Sequence, residues 1–239
     1  MAIVSNTVDY LDSETLLEGF FAYDDAIEGL RPVVLIHHAW GGRDEFVAGK
    51  AVKLAELGYL AFATDMYGKG VRGSSPEENG RLMAPFMQDR ARLQTRLLAA
   101  LAAVKLMPWA DSGKIAAIGF CFGGLCALDL ARTGADLRGV VSFHGLLVAP
   151  DNIPDPKIKA KVLVLHGHDD PMVPPDQVLA LQTELTKAGA DWQVHTYGGT
   201  MHAFTNPVAN DSAFGTVYQP IADQRSWRAM QNFFEEIFA

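Results

Sequence analysis

The sequence predicts an α/β fold in which a mostly parallel twisted sheet carries helices on both faces. Short apolar runs, typical of buried strands, alternate along the chain with longer segments whose apolar residues recur at helical spacing. This alternation favours a parallel sheet that is covered on both sides. The chain has 239 residues, of which 49% are hydrophobic, and can bury a large core. We therefore predict a single domain over residues 1–239.

Apolar periodicity and capping residues assign the elements in chain order. Alternating apolar positions predict a hairpin or two edge strands within residues 7–24. Asp44 is a suitable N-cap for a helix that Gly58 closes, and Pro108 ends a helix that begins at Asp89. The other predicted strands are 32–37, 59–63, 114–118, 139–143, 162–166 and 192–197, and the other predicted helices are 125–131, 176–188 and one at the C-terminus. Three segments receive no helix or strand, namely 65–88, 203–221 and the loop 145–160 with Pro150, Pro154 and Pro156.

Charge and cysteine content exclude several classes of protein. The net charge is -8 and basic residues do not cluster, which argues against nucleic acid or an anionic membrane as a partner. No apolar run reaches the roughly 18 residues that a membrane helix needs, and the first residues do not resemble a signal peptide. Cys121 and Cys126 lie too close together for a disulfide framework. We expect a cytoplasmic protein, monomeric or homodimeric.

The candidate nucleophile lies in the stretch 119–124, between the strand 114–118 and the helix 125–131. Glycines flank Cys121 and permit a strained turn between strand and helix. This is the Gly-x-nucleophile-x-Gly elbow of α/β-hydrolases, with cysteine in the place of serine. The N-terminus of the following helix favours a thiolate over a thiol. The competing interpretation is that Cys121 is a small buried core residue.

A thiol nucleophile needs a base, and the base needs an orienting group. Asp170 follows one predicted strand and His202 follows the next, so both lie at the sheet edge where Cys121 lies. The order nucleophile, acid, histidine is that of α/β-hydrolases. Alone, Asp170 could be a turn carboxylate and His202 a loop histidine bonded to the backbone. The three together predict a Cys–His–Asp triad.

These motifs resemble the dienelactone hydrolase family over residues 32–239. The resemblance rests on G-x-C-x-G-G at 119–124, D-P-M-V-P at 170–174, G-x-x-H-x-F around His202, residues 63–68 and Asn206-Pro207. It implies hydrolysis of a small ester or lactone without a metal or other cofactor. It implies that Cys121 is the nucleophile, His202 the general base and Asp170 the orienting acid. It also implies an oxyanion hole formed by the backbone N–H groups of Phe122 and Ala39.

Two positions depart from the family and put the dienelactone substrate in doubt. His38 stands where the family commonly carries a glutamate that pairs with the cysteine, and Asn206 stands where an arginine holds the substrate carboxylate. We predict that His38 accepts the proton of Cys121 and stabilises the thiolate as a cation; the alternative is that His38 turns away and bonds to the backbone. Residues predicted to contact substrate are His38, Trp40, Tyr67, Asn206 and two candidate carboxylate partners, Lys69 and Arg72.

Two other functions stay open at this point. His166-x-His168-x-Asp170 resembles the metal spacing of zinc hydrolases, and His37, His38 or His202 could complete such a site. Pro171 stands where that motif expects a further histidine. The third possibility is an α/β-hydrolase fold used for binding alone, although a binding module has no need of a complete triad.

Overall fold

The computed structural model describes residues 2–152 and 157–239. The strands are β1 (Ile3–Asp12), β2 (Thr15–Asp24), β3 (Arg31–His37), β4 (Leu60–Ala63), β5 (Ala110–Phe120), β6 (Gly139–Phe143), β7 (Lys161–Gly167), β8 (Trp192–Tyr197), β9 (Asn210–Asp211) and β10 (Thr216–Val217). The helices are α1 (Glu45–Glu56), α2 (Pro76–Gln88), α3 (Arg90–Lys105), α4 (Phe122–Arg132), α5 (Pro175–Lys187) and α6 (Pro220–Phe238).

Eight of these strands form one sheet in the order β1-β2-β4-β3-β5-β6-β7-β8. β1 pairs with β2, and β2 with β4, in antiparallel orientation, whereas all pairs from β4 to β8 across the sheet are parallel. The predicted mostly parallel α/β-hydrolase sheet is confirmed. Because β5 lies inside the sheet between β3 and β6, the junction that follows it is surrounded by the ends of neighbouring strands.

Helices cover both faces because successive side chains of a buried strand point to opposite sides. In β3, Val33 and Leu35 pack in the cluster that also holds residues of α3, α4 and α5. Val34 and Ile36 pack in the cluster on the other face, with residues of α1 and α6. The uninterrupted apolar runs of the sequence are therefore strands buried on both faces. Within the described residues, no helix is long and apolar enough to span a membrane.

Two segments predicted without elements contain them. α2 begins after Ser75, whose side chain accepts a hydrogen bond from the N–H of Glu78, and Pro76 occupies its first turn. This Ser-Pro-Glu-Glu start is a helix-initiating pattern that the glycine-rich stretch before it obscured. The short β9–β10 pair lies within 203–221. The described part of the predicted loop 145–160 has no regular element, and Pro154 and Pro156 lie outside the described residues.

Candidate active site

Cys121 occupies a strained turn between the end of β5 and the start of α4. Its φ is 57° and its ψ is -118°, in the left-handed half of backbone space that a cysteine rarely adopts. A Cβ on Gly119 would lie 1.8 Å from the carbonyl oxygen of Gly123, and a Cβ on Gly123 would lie 2.0 Å from that of His37. Only glycine fits at both positions, so the elbow brings the first turn of α4 directly against the sheet.

Asp170 and His202 form a buried pair at the same edge of the sheet. Asp170 follows β7, His202 follows β8, and Nδ1 of the histidine lies 2.6 Å from Oδ2 of the aspartate. The other carboxylate oxygen accepts a hydrogen bond from the N–H of Met172 at 2.8 Å. Both oxygens of the carboxylate are thus engaged. Because His202 contacts the carboxylate through Nδ1, its Nε2 stays available for a second contact.

Cys121 and His202 lie close enough for each to shift the pKa of the other. Burial raises the pKa of Cys121, but the charge of neighbouring His202 and two backbone N–H groups lower that pKa below its ordinary value overall. Burial lowers the pKa of His202, but the Cys121 sulfur and the Asp170 carboxylate raise it to about 10. The opposite shifts favour a thiolate beside an imidazolium in the resting protein.

Two backbone N–H groups, those of Phe122 and Trp40, help to lower the pKa of the Cys121 thiol. Phe122 begins α4 directly after the elbow, and Trp40 lies one residue beyond Ala39 in the loop after β3. The oxyanion hole of Phe122 and Ala39 stays a prediction, and Trp40 is a further candidate donor.

His38 does not exchange a proton with Cys121, and that prediction is wrong. Its Nδ1 lies 2.6 Å from the carbonyl oxygen of Ala39, and its Nε2 accepts a hydrogen bond from the N–H of Met66 at 3.2 Å. Both ring nitrogens are committed to the backbone, which requires the neutral tautomer with a proton on Nδ1. Burial lowers the pKa of His38 as well. Its role is to join the loop after β3 to the loop after β4.

Tyr67 and Trp40 form aromatic walls near the nucleophile. The Tyr67 ring stacks on Phe122 with centroids 6.2 Å apart, and its hydroxyl donates to the carbonyl oxygen of Trp40 at 2.8 Å. Trp40 in turn stacks on Phe214, with centroids 5.9 Å apart. Phe214 was not predicted, because it comes from the β9–β10 hairpin and carries no local signal. Aromatic side chains thus form part of the surroundings of Cys121.

Lys69 and Arg72, the two predicted carboxylate partners, are both exposed. Lys69 is exposed and pairs with Asp9 at 2.7 Å and with Glu18 at 3.7 Å, so its charge is already used. Arg72 is exposed on the loop that packs against Gly42. Asn206 lies near His202 in sequence, and its side-chain oxygen accepts from the N–H of Val208, which forms a turn. The prediction that Lys69 holds a substrate carboxylate has no support in this geometry.

The histidine motif 166–170 does not assemble as a metal site. His166 is buried, His168 is exposed, and Asp170 is turned toward His202. Over the described ranges 2–152 and 157–239, no group of three or more His, Cys, Asp or Glu side chains is arranged to hold a metal ion. His166 lies within β7, whereas His168 lies in the turn that follows the strand, so the two side chains do not continue one strand face.

The model of the dienelactone hydrolase family matches residues 17–238. The chain belongs to the dienelactone hydrolase family. The match begins within β2 and ends in α6, so it includes the elbow and both strand ends that carry Asp170 and His202.

Solved structures and curated relatives agree with this assignment. The structure titled m3DLH is 36% identical and covers 100% of both chains, with a TM-score of 0.96. The dienelactone hydrolase-like promiscuous phosphotriesterase P91, from metagenomic libraries, is 38% identical, covers 99% of both chains and has a TM-score of 0.94. A protein of Aquifex aeolicus (strain VF5), provisionally named a carboxymethylenebutenolidase, is 30% identical over 85% of this chain and 87% of its own. This dienelactone hydrolase family member is therefore a hydrolase.

The resting state of this member of the dienelactone hydrolase family can be measured through the reactivity of its thiol. A thiolate reacts with iodoacetamide and a thiol does not, so the labelling rate follows the thiolate fraction. We expect half-maximal labelling of Cys121 below pH 8.5, the value of about 8.5 being that of an ordinary thiol. His202→Ala removes the neighbouring cation, so the profile should move to higher pH. Cys126 is fully buried and its pKa is raised well above normal, so it serves as the unreactive internal control. Identical profiles for wild type and His202→Ala would show that His202 does not stabilise the thiolate.

Proposed function

We propose that this hydrolase cleaves small carboxylic esters or lactones through a thioester on Cys121. The observation that carries the proposal is the joint placement of three groups at one sheet edge. His202 bonds to Asp170 through one ring nitrogen and is electrostatically coupled to the Cys121 sulfur. Two backbone N–H groups face the same sulfur. A nucleophile, a proton carrier and an anion-stabilising pair of donors are the groups that acyl transfer requires.

In the first half-reaction, the Cys121 thiolate attacks the carbonyl carbon of the substrate. The new C–S bond pushes the carbonyl electrons onto oxygen, and the N–H groups of Phe122 and Trp40 stabilise the resulting oxyanion. The imidazolium of His202 gives its proton to the leaving alkoxide as the C–O bond breaks. A thioester remains on Cys121, and for a lactone the released alcohol stays part of the same acyl group.

In the second half-reaction, water replaces the alcohol. Neutral His202 takes a proton from water as the oxygen attacks the thioester carbonyl, and the C–S bond breaks to release the acid. Asp170 holds the imidazole in one orientation and stabilises its charged form throughout. The cycle restores the thiolate–imidazolium pair and needs no redox partner.

The test is to trap the acyl-enzyme. Rapid acid quenching during turnover of p-nitrophenyl acetate should yield protein whose mass is greater by one acetyl group. The tryptic peptide 115–132 contains both cysteines, so fragmentation must place the acetyl group on Cys121 and not on Cys126. Acetylation of a different residue would contradict the thioester mechanism. So would a Cys121 that stays unmodified during steady-state turnover under conditions in which deacylation limits the rate.

We expect a preference for uncharged substrates. Asn206 stands at the position of the family arginine. Lys69, one of the two cations predicted to hold a substrate carboxylate, pairs with two carboxylates of the protein itself. A substrate carboxylate would lack a charge-assisted hydrogen bond, which is the strong kind. The kcat/KM for neutral aryl esters or simple lactones should exceed that for an anionic dienelactone by about tenfold, roughly one lost charged contact.

The matched variant for this preference is Asn206→Arg, which restores a cation at the position of the family arginine. It should raise kcat/KM for the anionic dienelactone and leave the neutral ester with little change. A tenfold preference of the wild type for dienelactone would contradict the prediction, and Arg72→Ala would then show whether Arg72 supplies the anchor.

A phosphotriester is a second candidate substrate, favoured by the 38% identity to the phosphotriesterase P91 across nearly the whole chain. A neutral triester needs no cation to hold a carboxylate, and attack by the thiolate at phosphorus would expel the alkoxide that His202 protonates. Diethyl p-nitrophenyl phosphate tests this in the same assay. Release of p-nitrophenol that persists in Cys121→Ala would exclude the shared site.

We also propose a cytoplasmic location for the enzyme. Both cysteines are free thiols, and Cys121 can work only in the reduced form. A reducing compartment preserves such a thiol. Fractionation of cells followed by immunodetection tests the location directly.

A further inference from the structure

We propose that His144 is a positioning residue that fixes the nucleophile elbow and the His202 loop relative to each other. The role rests on the proposed function of Cys121 and His202. His144 directly follows β6, and sequence reasoning did not single it out. It touches neither the thiol nor a substrate carbonyl in the proposed reaction, so it would act through the two groups that do.

The first contact joins His144 to the backbone of the nucleophile. The N–H of Cys121 is shared between the carbonyl oxygen of Phe143, at 3.1 Å, and Nδ1 of His144, at 3.2 Å. A backbone N–H can only donate, so Nδ1 must be the unprotonated nitrogen of the ring. Cys121 has a φ of 57°, and a strained residue persists only where its surroundings hold it in place. The imidazole is one of the groups that do so.

The second contact joins His144 to the loop that carries His202. Because Nδ1 is an acceptor, Nε2 carries the proton and donates to the hydroxyl oxygen of Thr205 at 2.8 Å. Thr205 lies three residues after His202, beyond Ala203, which has a φ of 58°. One imidazole thus bridges the two strained turns that carry the nucleophile and its base.

Packing restricts the ring to this arrangement. The edge of the His144 ring contacts His202, with centroids 5.1 Å apart and planes at 66°, and it contacts Phe204 with the same separation. His144 is 2% exposed and has a φ of 37°. Any rotation of the ring would break a buried hydrogen bond on each side and leave two polar groups unpaired.

The ring is also held in the neutral state that the bridge requires. Burial lowers the pKa of His144 well below its ordinary value, and the positive charges of His202, Lys50 and His166 lower it further. A second cation beside His202 would oppose the imidazolium of the catalytic pair. A neutral ring can bond to both turns without this repulsion.

The test removes the hydrogen bond between His144 and Thr205. Thr205→Val keeps the volume but deletes the acceptor, so Nε2–H loses its partner and the ring is no longer joined to the His202 loop by a hydrogen bond. We expect kcat for p-nitrophenyl acetate to fall by about tenfold with KM within about twofold, because misplacement of reacting groups slows chemistry rather than binding. Thr205→Ser restores a hydroxyl and should rescue kcat.

A matched control exists in the same sheet. Nδ1 of buried His37 lies 2.8 Å from the hydroxyl oxygen of Thr64, a histidine–threonine pair that contacts neither Cys121 nor His202 through its side chains. Thr64→Val should lower the thermal midpoint as much as Thr205→Val does while leaving kcat unchanged. Equal losses of kcat in the two variants, or an unchanged kcat in Thr205→Val, would overturn the positioning role.

A second readout is independent of ester hydrolysis. Imidazole ¹⁵N shifts distinguish protonated from unprotonated ring nitrogens, and the His144 signals can be assigned by their loss in His144→Asn. Wild type should show a protonated Nε2 and a bare Nδ1 from pH 6 to 8. Thr205→Val should keep this tautomer, because Nδ1 still accepts from the N–H of Cys121, but its Nε2 signal should shift with the loss of the Thr205 acceptor. An Nε2 signal that is unchanged in Thr205→Val would contradict the bridge even if Cys121 proved not to be the nucleophile. Conversely, a shifted Nε2 signal in a protein whose Cys121→Ala variant stays active would refute the proposed function and leave the bridge as a structural contact.

Discussion

Replacing Cys121 with alanine is expected to abolish ester hydrolysis, with a fall in kcat of about 10³-fold or more, as for removal of a triad nucleophile elsewhere. Alanine retains the backbone donors of Phe122 and Trp40 but supplies no atom that can form the thioester. The measurement is kcat for p-nitrophenyl acetate at matched thermal stability. Since the φ of Cys121 is 57°, a smaller side chain should not add strain at this position.

The matched control is Cys126→Ala. Cys126 lies on α4, is fully buried and has a raised pKa, so it is a core side chain rather than a nucleophile. Its removal leaves a small cavity and should lower stability by about 1 kcal/mol without changing kcat. Full activity in Cys121→Ala, or loss of activity in Cys126→Ala alone, would remove the proposed mechanism.

Asp170→Asn is expected to lower kcat by about 10³- to 10⁴-fold, the effect seen when a triad aspartate is replaced by its amide. The carboxylate oxygen 2.6 Å from Nδ1 of His202 accepts a hydrogen bond from Nδ1–H. An amide nitrogen in its place could only donate, which would favour the tautomer with the proton on Nε2. Asp170 also helps to raise the pKa of His202, so that pKa should fall from about 10 in the variant. The imidazolium would then lose its proton at a lower pH, and the alkaline limit of the thiolate–imidazolium pair should move down.

The neighbouring residue provides the control for this substitution. Asp169 is exposed, and the hydrogen bond recorded for it uses its backbone N–H, which donates to the carbonyl oxygen of Thr200 at 2.9 Å. Asp169→Asn makes the same change of charge one residue away and should leave kcat and the pH profile as in the wild type. If the two variants behaved alike, net charge rather than the His202 contact would explain the loss.

The arrangement of strands and helices could be predicted because it depends on local patterns. Strands buried on both faces need continuous apolar runs, and the helices that cover them need an apolar stripe. α2 was missed although Ser75, Pro76 and Glu78 form a recognisable start, since the glycines of residues 65–73 suggested that the irregular stretch continued. Local capping rules are thus sufficient to predict the start of α2.

The sequence alone indicated the elbow and the order in which Cys121, Asp170 and His202 follow the ends of their strands. These follow from residues that are adjacent in the chain or that end successive strands of one parallel sheet, where topology leaves little freedom. Spacing could therefore indicate that Cys121, Asp170 and His202 share an edge, and the structure places them there.

The choice among neighbouring groups at that edge depended on the tertiary structure. Which N–H group of the loop after β3 faces a substrate depends on how that loop turns. His38 could have faced the thiol, but the N–H of Met66 and the carbonyl of Ala39 occupy its two nitrogens. His144 and Thr205 lie 61 residues apart, and nothing in either segment indicates the other. Buried polar groups bond to whatever the packed chain brings within reach, and that is a property of the assembled sheet and loops rather than of any local stretch.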